Sequence, residues 1–134
     1  MGKVKVTINI PPQPKGRPRL SNGHAYTPQK TRDYEEAVKL IARTQIKRPL
    51  SGEIRASVNF YVQTPKSWSK AKFQLAERGQ IRPAVKPDID NLAKAILDAL
   101  NSGIGYNDDK QIVELHLQKF YSGRPRTEIE LEEI

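Results

Sequence analysis

Hydrophobic and polar residues alternate along four separate stretches of the chain. Lys3–Ile10 alternates strictly, and Glu53–Val62 has Ile54, Ala56, Val58, Phe60 and Val62 on one side. Both patterns predict a strand buried on one side. Gln111–Tyr121 and Thr127–Ile134 alternate in the same way on either side of Gly123. Because only a short turn separates these last two stretches, they predict an antiparallel hairpin.

Helical spacing marks two longer segments. Thr27 as the N-cap and Pro28 at the first helical position predict the start of a long helix that stops before Pro49. A second helix is predicted over Asn91–Asn101, because apolar residues recur there at intervals of three and four. A shorter, basic helix is expected near Trp68–Arg78. The order of elements predicts an α+β domain over residues 1–134, with a mixed β-sheet of about four strands and two main helices packed on it.

Charge is divided unevenly along the chain. The formal net charge is +8, yet residues 1–87 hold 18 lysines and arginines against 5 acidic residues, whereas residues 88–134 hold 5 against 10. A basic surface followed by an acidic centre is typical of a protein that attracts a polyanion and presents it to carboxylates. A general solubility charge is the alternative interpretation.

Composition excludes several classes of site. The sequence has no cysteine and two histidines, which rules out disulfides, thiolate zinc sites and cysteine nucleophiles. No apolar run approaches the ~20 residues of a membrane span, and no signal-peptide core is present. We therefore expect a cytoplasmic protein that does not enter a membrane.

The acidic residues of Lys86–Asp109 are the strongest candidates for chemistry. Asp88 and Asp90 precede the second main helix, and Asp109 follows it after a glycine-containing loop. The loop is long enough to bring Asp109 back, so a strand that starts near Lys110 could begin beside Asp88. Clustered carboxylates of this kind bind Mg²⁺. The alternative is that they serve only as helix caps and turns.

The turn-rich loop Gln13–Pro28 is the main candidate for binding a phosphate backbone. Basic and aromatic side chains are frequent in it, and another lysine precedes the acidic pair. The DNA-binding candidates are Lys15, Arg17, Arg19, Tyr26 and Lys86. An ordinary surface loop is the competing interpretation.

The sequence KPDIDNLAKAILDAL (Lys86–Leu100), followed by YNDDKQIVEL (Tyr106–Leu115), resembles the RusA family of Holliday junction resolvases. PPQPKGRPR (Pro11–Arg19) and YTP (Tyr26–Pro28) are similar to the N-terminal region of that family. The resemblance extends from about Val4 to Leu131.

This resemblance implies a homodimeric, Mg²⁺-dependent endonuclease, with Mn²⁺ expected to substitute, that resolves four-way DNA junctions by symmetric cuts. Such enzymes are often encoded by phages or prophages and act in recombination and repair. By the resemblance, the essential acids correspond to Asp88, Asp90 and Asp109, which would bind the metal. The essential lysine corresponds to Lys94, and Asp108 is an additional acid with a lesser role.

Two other functions are compatible with the residues alone. A non-catalytic DNA-junction-binding module would use the basic segments and keep the acids as caps and turns. A metal-dependent nuclease of different branched-DNA specificity would use the same acids. Comparing cleavage of junction, flap and linear duplex separates the three.

Overall fold

The structure is a computed structural model that describes residues 2–17 and 19–134. In chain order the strands and helices are β1 (Lys3–Ile8), β2 (Arg19–Ser21), β3 (His24–Tyr26), α1 (Gln29–Arg43), β4 (Ile54–Gln63), α2 (Lys70–Glu77), α3 (Ile89–Leu100), β5 (Ile112–Ser122) and β6 (Arg126–Glu133). A 3-10 helix, Asp109–Gln111, precedes β5.

Four of the strands form a mixed sheet in the order β1-β6-β4-β5. β4 pairs with β5 in parallel, whereas β6 pairs antiparallel with both β4 and β1. The predicted α+β class, with a mixed four-stranded sheet and two main helices, is confirmed. A short additional helix, α2, is the basic helix expected near Trp68–Arg78.

The predicted hairpin of the last two strands is wrong. β5 and β6 run in opposite directions, but β4 lies between them and pairs with both. The reason is the apolar face of β4, where Ile54, Ala56, Val58 and Phe60 are fully buried. Burying that face in the middle of the sheet removes more apolar surface from water than leaving it at an edge.

The two main helices pack on one face of the sheet and on each other. α3 buries an almost continuous apolar stripe, as its spacing predicts, and α1 adds Tyr34, Val38 and Ala42 to the same core. The opposite face of the sheet carries ion pairs such as Arg55 with Glu132 and Lys3 with Glu130. The sheet therefore has one solvated face and one face covered by helices.

The direction of α3 follows from the parallel pairing of β4 and β5. A helix that connects two parallel strands runs antiparallel to them. Its first residues consequently lie near the carboxyl end of β5, where Lys119 Nζ donates a hydrogen bond to Pro87 O at 2.7 Å. Its last turns lie near the start of β5, where the Tyr106 hydroxyl donates to Leu97 O at 2.6 Å.

Local boundaries differ from the sequence expectations by small amounts. Pro28, rather than Thr27, is the N-cap of α1. The loop that follows β1 is predicted to be turn-rich, and in the structure it contains a two-stranded hairpin, β2–β3. Within the described ranges, no helix combines the length and the hydropathy needed to cross a bilayer.

Candidate functional site

Asp88 and Asp90 occupy the start of α3. Asp88 is the N-cap residue, but its exposed side chain makes no capping hydrogen bond. Asp90 lies in the first turn, where its Oδ1 accepts a hydrogen bond from the Asn91 backbone N–H at 3.0 Å. Both carboxyl groups lie at the positive end of the helix dipole, where anionic ligands such as phosphate also bind. Because Asp88 has no capping hydrogen bond, its carboxylate is available to a ligand.

Lys119 fixes the segment that leads into Asp88. Its ammonium group donates to Val85 O and Pro87 O, both at 2.7 Å, and Arg82 Nε donates back to Lys119 O. Sequence reasoning missed this residue. The available signal is its position, since Lys119 follows Leu115 and Leu117 at alternate positions on the side of β5 that faces the helices.

A groove of about 560 Å³ runs beside Asp88. Its cations are Arg17, Lys30 and Lys86, and Asp88 and Asn91 also line it. In the part of the chain that is described, none of the three cations has a carboxylate partner within 4.0 Å. The groove therefore presents positive charge directly next to an exposed carboxylate.

Lys30 is a groove residue that the sequence candidates do not include. It lies in the first turn of α1, two residues after Pro28. The predicted helix start at Pro28 already places it next to the basic loop, and this is the signal that could have identified it. A second, mainly apolar pocket shares Arg17 and Lys30 with the groove and continues it along α1.

Lys94 lies one turn after Asp90 and one turn before Asp98. Its ammonium group is 3.4 Å from Asp98 Oδ2, and its side chain is 62% exposed. Lys15 Nζ approaches the same Asp98 oxygen at 3.2 Å and also bonds Glu35 Oε2 at 2.6 Å. Lys15 thus lies between two carboxylates, whereas Lys94 extends into solvent.

Asp108 and Asp109 follow the loop after α3. Asp108 caps the 3-10 helix: its carboxylate accepts from Lys110 N–H, and its own N–H donates to the Gln111 side chain. Asp109 is exposed in the first turn of that 3-10 helix. Asp108 therefore stabilises the turn that contains Asp109.

Buried Tyr106 connects the Asp109 segment to α3. Burial raises the pKa of Tyr106 above its ordinary value of 10.0, and the negative charges of Asp109 and then Asp98 raise it further. The hydroxyl of Tyr106 also donates to Leu97 O. Asp109 consequently lies towards the second half of α3, on the side of Tyr106 and Leu97.

The expectation that β5 begins beside Asp88 is wrong. The residue of β5 that reaches the start of α3 is Lys119, not one near Lys110, since α3 runs antiparallel to β5. Among residues 2–17 and 19–134, no three Asp, Glu or His side chains lie close enough together to hold one metal ion. Asp88 and Asp90 instead lie at the start of α3, and Asp109 lies in the 3-10 helix that follows the loop after α3.

The remaining DNA-binding candidates lie on or near the β2–β3 hairpin. Tyr26 is 44% exposed at the end of β3, next to α1. The backbone of Arg19 pairs with Tyr26 in the hairpin, and the side chain of Arg19 lies outside the described part of the structure. The hairpin therefore projects from the same side of the molecule as the start of α1.

Comparison with known proteins decides the family. The family model described as endodeoxyribonuclease RusA matches residues 9–132. The chain belongs to the RusA endodeoxyribonuclease family. It is also 40% identical over 143 residues to the Bacillus subtilis (strain 168) protein named "Uncharacterized protein YqaN", an alignment that covers 100% of this chain and 99% of that protein.

Membership of the RusA family supports nuclease activity for the arrangement at α3. The match includes the whole of the groove wall, both acidic segments and Lys94. A basic groove that opens on exposed carboxylates suits an enzyme that hydrolyses a phosphodiester, because the substrate is a polyanion.

Proposed function

We propose that this chain is an endodeoxyribonuclease, folded as one domain over residues 1–134, that resolves four-way DNA junctions by paired symmetric cuts. The observation that carries the proposal is the groove in which Arg17, Lys30 and Lys86 lie beside Asp88. Family membership supplies the reaction class. A role in recombination and repair, a cytoplasmic location and a phage or prophage origin are proposed from the family resemblance.

The groove cations are proposed to hold the phosphates of the strand that is cut. Each phosphate contact releases condensed counterions, so binding weakens as salt concentration rises. Arg17 and Lys86 retain the role that their positions in the sequence suggest, and Lys30 joins them. Tyr26 and Arg19 are proposed to contact the DNA beyond the groove, with Tyr26 able to stack on an unpaired base.

Asp88, Asp90 and Asp109 are the proposed ligands of Mg²⁺, with Mn²⁺ as a substitute, and Asp108 is a possible additional acid. Their hard oxygen donors fit these ions in chemistry. The geometry fits less well, because three such groups do not meet around one point in the described chain. A bound Mg²⁺ would supply charge neutralisation and an activated water.

Lys94 is proposed to act on the phosphate directly. Its exposed ammonium group projects from the face of α3 that carries Asp90, one helical turn away. A cation in this position stabilises negative charge that develops on the phosphoryl oxygens or on the leaving group. Lys94→Ala is therefore expected to fold and to bind junctions while losing cleavage.

A homodimer is proposed because a four-way junction with two symmetric cuts requires two sites related by a two-fold axis. Two chains would each contribute one groove and one α3 face. Sedimentation of the free protein and of its junction complex tests this directly. A complex with one chain per junction would contradict it.

A non-catalytic junction-binding module is the second candidate. The observation that favours it is that, among the described residues, no three acidic or histidine side chains lie close enough together to hold one metal ion. A nuclease with a preference for flaps or other branched DNA is distinguished by its substrate. The binding module would give no cleaved product, and the other nuclease would give products from flaps or other branched DNA.

The experiment that tests the proposal compares labelled four-way junction, flap and linear duplex with Mg²⁺. Paired nicks at symmetric positions of the junction alone support it. Binding without cleavage in Mg²⁺ or Mn²⁺ supports the binding module, and preferred flap cleavage supports the other nuclease.

The groove is tested with two lysine variants. Lys30→Met is expected to lower the slope of log K against log salt by about 0.9, the value for one phosphate contact. Lys3→Met is the matched control, since Lys3 pairs with Glu130 on the opposite, solvated face of the sheet. Equal slopes for wild type and both variants would contradict a phosphate at Lys30.

A further inference from the structure

Four charged side chains form a network around Asp98 on α3. Lys15 Nζ is 2.6 Å from Glu35 Oε2 and 3.2 Å from Asp98 Oδ2, and Lys94 Nζ is 3.4 Å from that same Asp98 oxygen. The side chains of Lys15, Glu35 and Asp98 are 21%, 16% and 24% exposed. One carboxylate oxygen is therefore shared by a largely buried lysine and an exposed one.

Backbone contacts fix Lys15 in this position. Its N–H donates to Asn91 O at 3.0 Å, and the next residue, Gly16, donates to Thr31 Oγ1 at 2.9 Å. These bonds attach the segment to both α3 and α1. Lys94, in contrast, has Asp98 as its one ion-pair partner in the described chain. Lys15 is consequently the fixed partner of Asp98, and Lys94 is the partner that can leave.

Partial burial makes the Lys15 contacts stronger than those of Lys94. Charges that are shielded from water interact more strongly, and i,i+4 pairs with an exposed partner contribute little. Burial alone would lower the pKa of Lys15, but its hydrogen bonds with Glu35 and Asp98 outweigh this and raise it. Lys15 thus remains charged at neutral pH and offsets the negative charge of Asp98.

We propose that Lys15 is a positioning residue that keeps Lys94 available to the substrate, rather than a phosphate contact. Asp98 competes with the scissile phosphate for the Lys94 ammonium group. By sharing the Asp98 oxygen, Lys15 weakens this competition. Without Lys15, Asp98 would hold Lys94 in an i,i+4 pair along the helix and withdraw it from the DNA. The inference rests on the proposed function.

The central test measures single-turnover cleavage and junction affinity for Lys15→Met, Lys15→Arg and the double variant Lys15→Met/Asp98→Asn. Lys15→Met is expected to lower the cleavage rate about twofold, equivalent to the ~0.4 kcal/mol of one i,i+4 ion pair, with little change in Kd. The double variant is expected to recover most of the rate, because Asp98 can no longer hold Lys94. Lys15→Arg keeps the charge and is expected to cut at nearly the wild-type rate.

Two outcomes would overturn the inference. If Lys15→Met weakens binding and its salt slope falls by about one while the rate at saturation is unchanged, Lys15 is a phosphate contact. If the double variant stays as slow as Lys15→Met, Lys15 serves only to hold the fold. Thermal unfolding shows whether each variant is folded under the assay conditions. Lys15→Arg is the reference variant that keeps the positive charge at this position.

A readout without cleavage separates this inference from the proposed function. The ammonium protons of Lys94, identified by NMR with Lys94→Arg as reference, are expected to exchange with water more slowly in Lys15→Met than in wild type. Unchanged exchange would contradict the inference. Slower exchange in a protein that cuts no branched DNA would support the network and contradict the proposed function.

Discussion

Tyr106→Phe is the substitution that most directly tests how the Asp109 segment is held against α3. The side chain of Tyr106 is fully buried, and its hydroxyl donates to Leu97 O at 2.6 Å. Leu97 lies in the last four residues of α3, whose carbonyl groups have no partner within the helix. Removing the hydroxyl leaves that carbonyl without the bond it makes here.

The expected loss follows from this burial. The hydrogen bond is partly buried, so its loss is expected to cost about 1 kcal/mol, and each kcal/mol lowers Tm by roughly 4 °C in a domain of this size. Tyr26→Phe is the matched control, because the Tyr26 side chain is 44% exposed and surface changes stay within about 0.5 kcal/mol. Chemical denaturation of wild type and both variants measures the difference.

The pH dependence of this difference has a definite sign. The pKa of Tyr106 is raised above 10.0 by burial and by the charges of Asp109 and Asp98. Its stabilisation is complete below pH 10, where tyrosine is protonated in both folded and unfolded chains. Above pH 10 the unfolded chain loses its proton first, so the advantage of wild type over Tyr106→Phe shrinks as pH rises through the folded pKa.

Cleavage should fall together with stability, since Asp109 follows Tyr106 by three residues. A Tyr106→Phe protein that is as stable as wild type, or that loses the same stability as Tyr26→Phe, would refute the reasoning. The loop would then be held by contacts other than this hydrogen bond.

Three further predictions concern other parts of the structure. Lys119→Met loses the hydrogen bonds to Val85 O and Pro87 O. The cleavage rate should therefore fall further than the loss of stability, measured as Tm on the same protein, accounts for. Gly16→Ala places a Cβ 2.5 Å from Thr31 Oγ1, so Tm and junction affinity should both drop, and unchanged values would contradict the close approach. Hydrogen bonds from the backbone of Ser51 and then Gly2 lower the pKa of Glu133 below 4.5. Its stabilisation is therefore present above pH 4.5, and the Tm gap to Glu133→Gln should close as pH falls through the lowered pKa.

Local patterns predicted the elements of this fold well. The apolar spacing of α3 identified its buried face, and the alternation of β1, β4 and β6 identified their inward residues. Strand order was not predictable in the same way. The insertion of β6 between β1 and β4 depends on which strands best bury β4, and this is a property of long-range packing rather than of any segment.

The candidate site shows the same division. Asp88 and Asp90 could be placed at the start of a helix from sequence, because capping residues and apolar periodicity are local signals. The position of Asp109 could not, since it depends on the parallel pairing of β5 with β4. Lys15 illustrates the limit further. A lysine in a basic loop suggests a phosphate contact, whereas its pairing with Glu35 and Asp98 requires α1 and α3 to meet.

Cleavage of a labelled four-way junction in Mg²⁺ by wild type, Asp90→Asn and Lys94→Ala tests the central claim most directly. The account predicts paired symmetric nicks by wild type, none by either variant, and nearly equal junction binding by all three. It also predicts no wild-type cleavage of linear duplex. If wild type binds the junction tightly and cuts nothing, or if Asp90→Asn cuts as fast as wild type, the acidic face of α3 is not a nuclease site.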